Sequence, residues 1–120
     1  MGLYKEIKTK LNFTVLNEND IELTVTSSSG VRVSTSVNSN NVKVWNDETK
    51  EIGNSNLKGK LVRFISVTED RTGAGIKITL LVKQKDGESL TYNFPDDFTG
   101  TPDYDENDEM PTFYTYINFK

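Results

Sequence analysis

Residues 76–94 run Ile76-Lys77-Ile78-Thr79-Leu80-Leu81-Val82-Lys83-Gln84-Lys85-Asp86-Gly87-Glu88-Ser89-Leu90-Thr91-Tyr92-Asn93-Phe94, two alternating apolar runs either side of an Asp-Gly pair. Period-two alternation marks strands with one buried face, so the stretch predicts a β-hairpin. Loop length then fixes which side chains meet, because a slip of one residue turns an entire apolar face to water. A two-residue loop at Asp86-Gly87 sets Leu80 opposite Asn93 and Leu81 opposite Tyr92. A three-residue loop of Lys85, Asp86 and Gly87 instead pairs Val82 with Leu90, Leu80 with Tyr92 and Ile78 with Phe94. It also offers Gly87 for the left-handed third position of a type I turn with a bulge. The longer loop is the expected one.

The same reasoning extends upstream. A loop of Asn17, Glu18 and Asn19 pairs Val15 with Ile21, Phe13 with Leu23 and Leu11 with Val25, with Asn19 in the left-handed position. A loop of Ser28, Ser29 and Gly30 pairs Val25 with Val33, Leu23 with Thr35 and Ile21 with Val37. A tight Ser39-Asn40 turn sets Val37 beside Val42 and Thr35 beside Val44. These registers predict a four-strand meander with one shared apolar face. Eight strands are expected, near residues 7–16, 20–27, 31–38, 42–46, 60–68, 75–84, 88–94 and 112–119. Long loops fall at 47–59 and 95–111, where function is expected to concentrate. Strands that are apolar on one face bury best against each other. The expected fold is all-β: an antiparallel β-sandwich or up-and-down barrel of about eight strands with mostly meander connections, one domain over residues 1–120.

Composition narrows the chemistry. The chain has no cysteine and no histidine, which removes thiol nucleophiles, zinc-thiolate sites and the commonest general base. Asp96 and Asp97 are adjacent, so in an extended segment their carboxylates point apart and cannot work as an acid/base pair. Gly73-Ala74-Gly75 lacks the Lys-Ser/Thr of a phosphate loop. No catalytic activity is expected. Nor is any cluster of Lys or Arg present, which argues against nucleic acid and anionic membrane as partners. No apolar run approaches the roughly 20 residues of a membrane helix or the roughly 7–15 of a signal-peptide core. A cytoplasmic product is the default expectation, with a virion or secreted-assembly component also open.

Three features carry the functional expectations. The net charge of −4 is uneven, and between Asp96 and Glu109 seven carboxylates stand without one basic residue. Asp103, Asp105, Asn107 and Glu109 alternate there, an oxygen set that suits calcium. The run departs from an EF-hand loop, with Asp108 at the glycine position and Tyr114 at the bidentate glutamate position. The same carboxylates would also steer a basic protein surface. A second feature is aromatic: Trp45, Tyr114 and Tyr116 fall on the outward parity of their strands, and Tyr and Trp are favoured in binding surfaces. The third is the hairpin from Asp20 to Asn41, in which nine of the eighteen residues from Thr24 to Asn41 are Ser or Thr and Arg32 is the only charge among those eighteen. As a flat hairpin it suits edge-to-edge self-association, and its alternation is that of pore-lining hairpins. The expectation is a non-catalytic β module acting through protein–protein contact, a structural or accessory component of a larger assembly. The alternative is a calcium-dependent ligand- or carbohydrate-binding module, with calcium the only cofactor in view.

Overall fold

The computed structural model describes residues 8–28, 32–68, 77–94, 96–97 and 112–120, with 8–10, 68, 112 and 113 described by their backbone alone. Among the described residues nine strands form: β1 (Lys8–Phe13), β2 (Ile21–Ser27), β3 (Val33–Val37), β4 (Val42–Trp45), β5 (Glu48–Gly53), β6 (Leu61–Thr68), β7 (Ile78–Gln84), β8 (Ser89–Phe94) and β9 (Thr112–Phe119), with one 3₁₀ turn, η1 (Ser55–Leu57). They make a five-stranded sheet in the order β1-β9-β6-β3-β4 and a four-stranded sheet in the order β5-β2-β7-β8. The fold is an all-β sandwich.

The sandwich follows from the alternation. Ile21, Leu23 and Val25 of β2 are buried together with Ile78, Leu80 and Val82 of β7, and from the other sheet with Val62 and Phe64 of β6 and Ile117 and Phe119 of β9. These side chains form one core cluster, within which the rings of Phe13 and Phe119 sit 5.4 Å apart at 53°. Burying each large apolar side chain stabilises the fold by about 1.5–3 kcal/mol. Inside this core Thr35 and Ser66 satisfy each other at 2.9 Å.

The β7–β8 hairpin has the expected register, Ile78↔Phe94, Leu80↔Tyr92 and Val82↔Leu90. Its turn is built differently. Asp86, not Gly87, takes the left-handed conformation, with φ of 55°. Asp tolerates that region because its short polar side chain can bond locally. Gly87 is required for space: a Cβ there would lie 2.9 Å from Gln84 Oε1. Between β3 and β4 the pairs Thr35↔Val44 and Val37↔Val42 also form as expected, closed by Asn41 at φ 58°.

The first-half meander does not form. β1 pairs with β9 in parallel, and β2 lies between β5 and β7, so neither β1–β2 nor β2–β3 is a hairpin. β2 and β3 face each other from opposite sheets. The apolar side chains do share one core, but they reach it from both sides. Alternation fixes which face is buried; it does not fix which strand is the neighbour. Asn19 is not left-handed either, since the positive-φ residues other than glycine among the described ones are Asn41, Asp47 and Asp86.

What the 17–19 segment does is dock. Gln84, 1 % exposed, donates from Nε2 to the carbonyls of Asn17 and Asn19 and accepts at Oε1 from the N–H of Leu16. Asn17 and Asn19 in turn donate to the carbonyl of Lys85. The crossover from β1 to β2 is thereby clasped to the β7–β8 turn.

The expected 47–59 loop contains β5 and η1. Only Ile52 of β5 is buried, so the strand carries almost no apolar signal. Glu48 and Lys50 occupy its core-side parity, paired with Val25 and Leu23. Both reach across to the edge of β4 in the other sheet. Glu48 Oε1 accepts from the Trp45 N–H at 2.9 Å, and Lys50 Nζ donates to the Lys43 carbonyl at 3.0 Å. Those are edge-facing groups of β4, because the Asn46–Val33 bond puts the outward backbone of this strand at residues 43 and 45. Inward charges on an edge strand and filled edge positions both discourage pairing with another chain. On β8 the outward N–H and C=O of Asn93 are similarly taken by Asp97.

Candidate functional site

Strand parity leaves each sheet one outer face, and the five-stranded sheet's is the more unusual. Buried Thr115, Ile117 and Phe119 turn Tyr114, Tyr116 and Asn118 outward on β9. The same alternation turns Leu61, Arg63, Ile65 and Val67 outward on β6, and Lys43 and Trp45 on β4. Register then sorts them into rows. Tyr114, Ile65, Ser36 and Lys43 stand side by side across β9, β6, β3 and β4. Tyr116 stands beside Arg63, and Val67, Ser34 and Trp45 form the row on the other side.

The three aromatic residues expected from sequence therefore share one face. Trp45 lies on the β4 edge and the tyrosines on β9, three strand spacings or about 14 Å apart. All three are half-buried. Between them the face is covered by Ile65, Val67 and the small, 3 % exposed Ser34.

Sequence reading found the aromatics but missed the cations placed with them. The Arg32 guanidinium sits 4.2 Å from the centre of the Trp45 ring, and Lys43 Nζ lies 5.4 Å from the same ring. Arg63 lies 5.9 Å from the Tyr114 ring. The negative face of an aromatic ring attracts a cation, by about 0.5–1 kcal/mol where the site is exposed. A signal existed: Lys43 and Arg63 have the same parity as Trp45 and Ile65. Pairing β3 with both β4 and β6 is what brings them onto one surface.

The outward rows of this sheet hold no Asp or Glu among the described residues. At the β4 edge the carboxylate of Glu48, with Arg32, Trp45 and Asn46, lines a shallow recess of about 290 Å³. Its oxygen is engaged by the Trp45 N–H and lies 3.8 Å from Lys50 Nζ.

Asp103, Asp105, Asn107 and Glu109, the expected calcium ligands, lie outside the described residues. Among the described residues no group of three or more His, Cys, Asp or Glu is placed to hold a metal ion. No helix among them is long and apolar enough to cross a membrane. The Asp20–Asn41 hairpin, expected as an associating or inserting element, does not exist as a unit, because β2 and β3 are interior strands of different sheets. Edge-to-edge pairing through it has no edge to use.

No protein-family model, curated protein or solved structure matches this chain.

Proposed function

We propose that the protein is a non-catalytic β-sandwich module that works by protein–protein contact through the outer face of its five-stranded sheet. The observation that carries this reading is the clustering of Trp45, Tyr114, Tyr116 and Arg63 on one face with Ile65 and Val67 between them. Trp, Tyr and Arg are the residues that most often dominate binding energy in protein interfaces. Large amphipathic side chains supply contact area there at low entropic cost, because few torsions are frozen. The filled edges of β4 and β8 support a face, not an edge, as the mode of contact.

The test compares two double variants immobilised at equal density and exposed to lysate of the source cells. Trp45→Ala/Tyr116→Ala is expected to lose at least tenfold of whatever the unmodified chain retains, by quantitative mass spectrometry. Thr24→Ala/Thr91→Ala, on the outer face of the other sheet, is expected to retain it. Equal retention by both variants would refute the reading, provided circular dichroism shows both folded.

A further inference from the structure

We infer that the partner meets this face with an acidic, extended polypeptide segment, its carboxylates seated at Arg63 and Lys43. The inference rests on the contact reading above and adds the chemistry of what is contacted. Both cations lack a carboxylate partner among the described residues, and the Arg63 Nε is buried without a hydrogen-bond partner. Arg63 as a whole residue is only half-buried, so a partner's carboxylate can meet its guanidinium from the solvent side with a charge-assisted bond. The chain as a whole carries −4, so a face whose described residues include cations and no acid departs from the charge of the whole. Opposite charge on the partner steers encounter and fixes register.

The layout favours a polypeptide over a polyanion. Arg63 and Lys43 lie two strands and two residues apart, about 12 Å by ordinary sheet spacings. An extended segment spans that distance in about four residues, so carboxylates at i and i+4 reach both cations. Ile65 and Ser36 lie between the two, and Tyr114 and Tyr116 flank Arg63. Apolar and aromatic ground between two charges suits side chains interleaved with carboxylates. It offers nothing to a chain of phosphates or sulfates.

The experiment uses fluorescence anisotropy with the full chain and a labelled peptide of sequence 96–109, whose seven carboxylates make it a defined acidic probe. Its counterpart has every Asp and Glu replaced by Asn and Gln. Binding of the acidic peptide alone, weakened by added salt and about tenfold by Lys43→Gln or Arg63→Gln, is the expected result. Lys83→Gln on the other sheet is expected to leave it unchanged. Lys43 is exposed, so that variant tests the idea even if Arg63→Gln unfolds the chain. No binding at millimolar peptide and low salt, equal binding of the amide peptide, or equal binding by Lys43→Gln would each overturn the inference. Inorganic polyphosphate competing as well as the peptide, charge for charge, would overturn it in favour of a general anion site. If the peptide fails while Trp45→Ala/Tyr116→Ala still abolishes partner retention, the acidic chemistry is wrong and the contact face stands.

Discussion

The two outer faces of the sandwich are written in the same period and built on the same core, yet they differ in kind. The four-stranded sheet turns out Thr24, Thr26, Thr49, Thr79, Ser89, Thr91 and Asn93, with Leu81 and the charges Glu22, Glu51 and Lys83 among them. Hydroxyls on it find partners within the face: Thr24 and Thr49 lie 2.7 Å apart and Thr79 donates to Asn93 Oδ1 at 2.8 Å. Such a face meets water on good terms and asks for nothing more. The five-stranded sheet turns out aromatic and branched apolar side chains with cations over the rings. Inward positions make the sheets; outward positions distinguish a solvated face from a face suited to contact.

The comparison can be strained first at its shared foundation. Phe64, fully buried in the middle of the five-stranded sheet, supports the core under both faces. Phe64→Ala is expected to cost about 3–5 kcal/mol, the lost burial plus the cavity left behind, read from urea unfolding. Gln84→Leu should act on the crossover that joins the two sheets. It strips the acceptor from the Leu16 N–H and the donor from two carbonyls, an expected loss of about 2–3 kcal/mol by the same measurement. A change with the opposite sign is available beneath the tyrosines. Thr115 is fully buried and its hydroxyl has no partner, so Thr115→Val should raise stability by about 1 kcal/mol without disturbing Tyr114 or Tyr116. The smallest effect belongs to the hydroxyl face. Thr24→Val removes one exposed hydroxyl pair and is expected to stay within about 0.5 kcal/mol of the parent by thermal melting.

How much of this was legible in the sequence varied with the range of the interaction. The β7–β8 and β3–β4 registers were readable because a short loop ties each strand to its neighbour, leaving loop length and alternation to decide between two options. The β1–β9 pairing joins residues a hundred positions apart, and nothing local distinguishes it from β1–β2. β5 escaped notice because Glu48 and Lys50 sit where apolar residues would be expected, for a reason visible only once the β4 edge lies beside them. Trp45, Tyr114 and Tyr116 were readable as outward residues from parity. Their company with Arg32, Lys43 and Arg63 was not, since it depends on strand order. Asn17 and Asn19 looked like turn residues, and their side chains proved to be the clasp on the β7–β8 turn.

Site-specific photo-cross-linking separates the two faces most directly. A benzophenone side chain is placed at Tyr116 on the five-stranded sheet or at Thr91 on the four-stranded one, and each protein is irradiated in lysate of the source cells. The expected result is a discrete adduct from position 116, lost on adding Trp45→Ala, and none from position 91. An adduct from position 91 with none from 116 would show that the hydroxyl face is the one that meets a partner, and would contradict a contact role for the aromatic face.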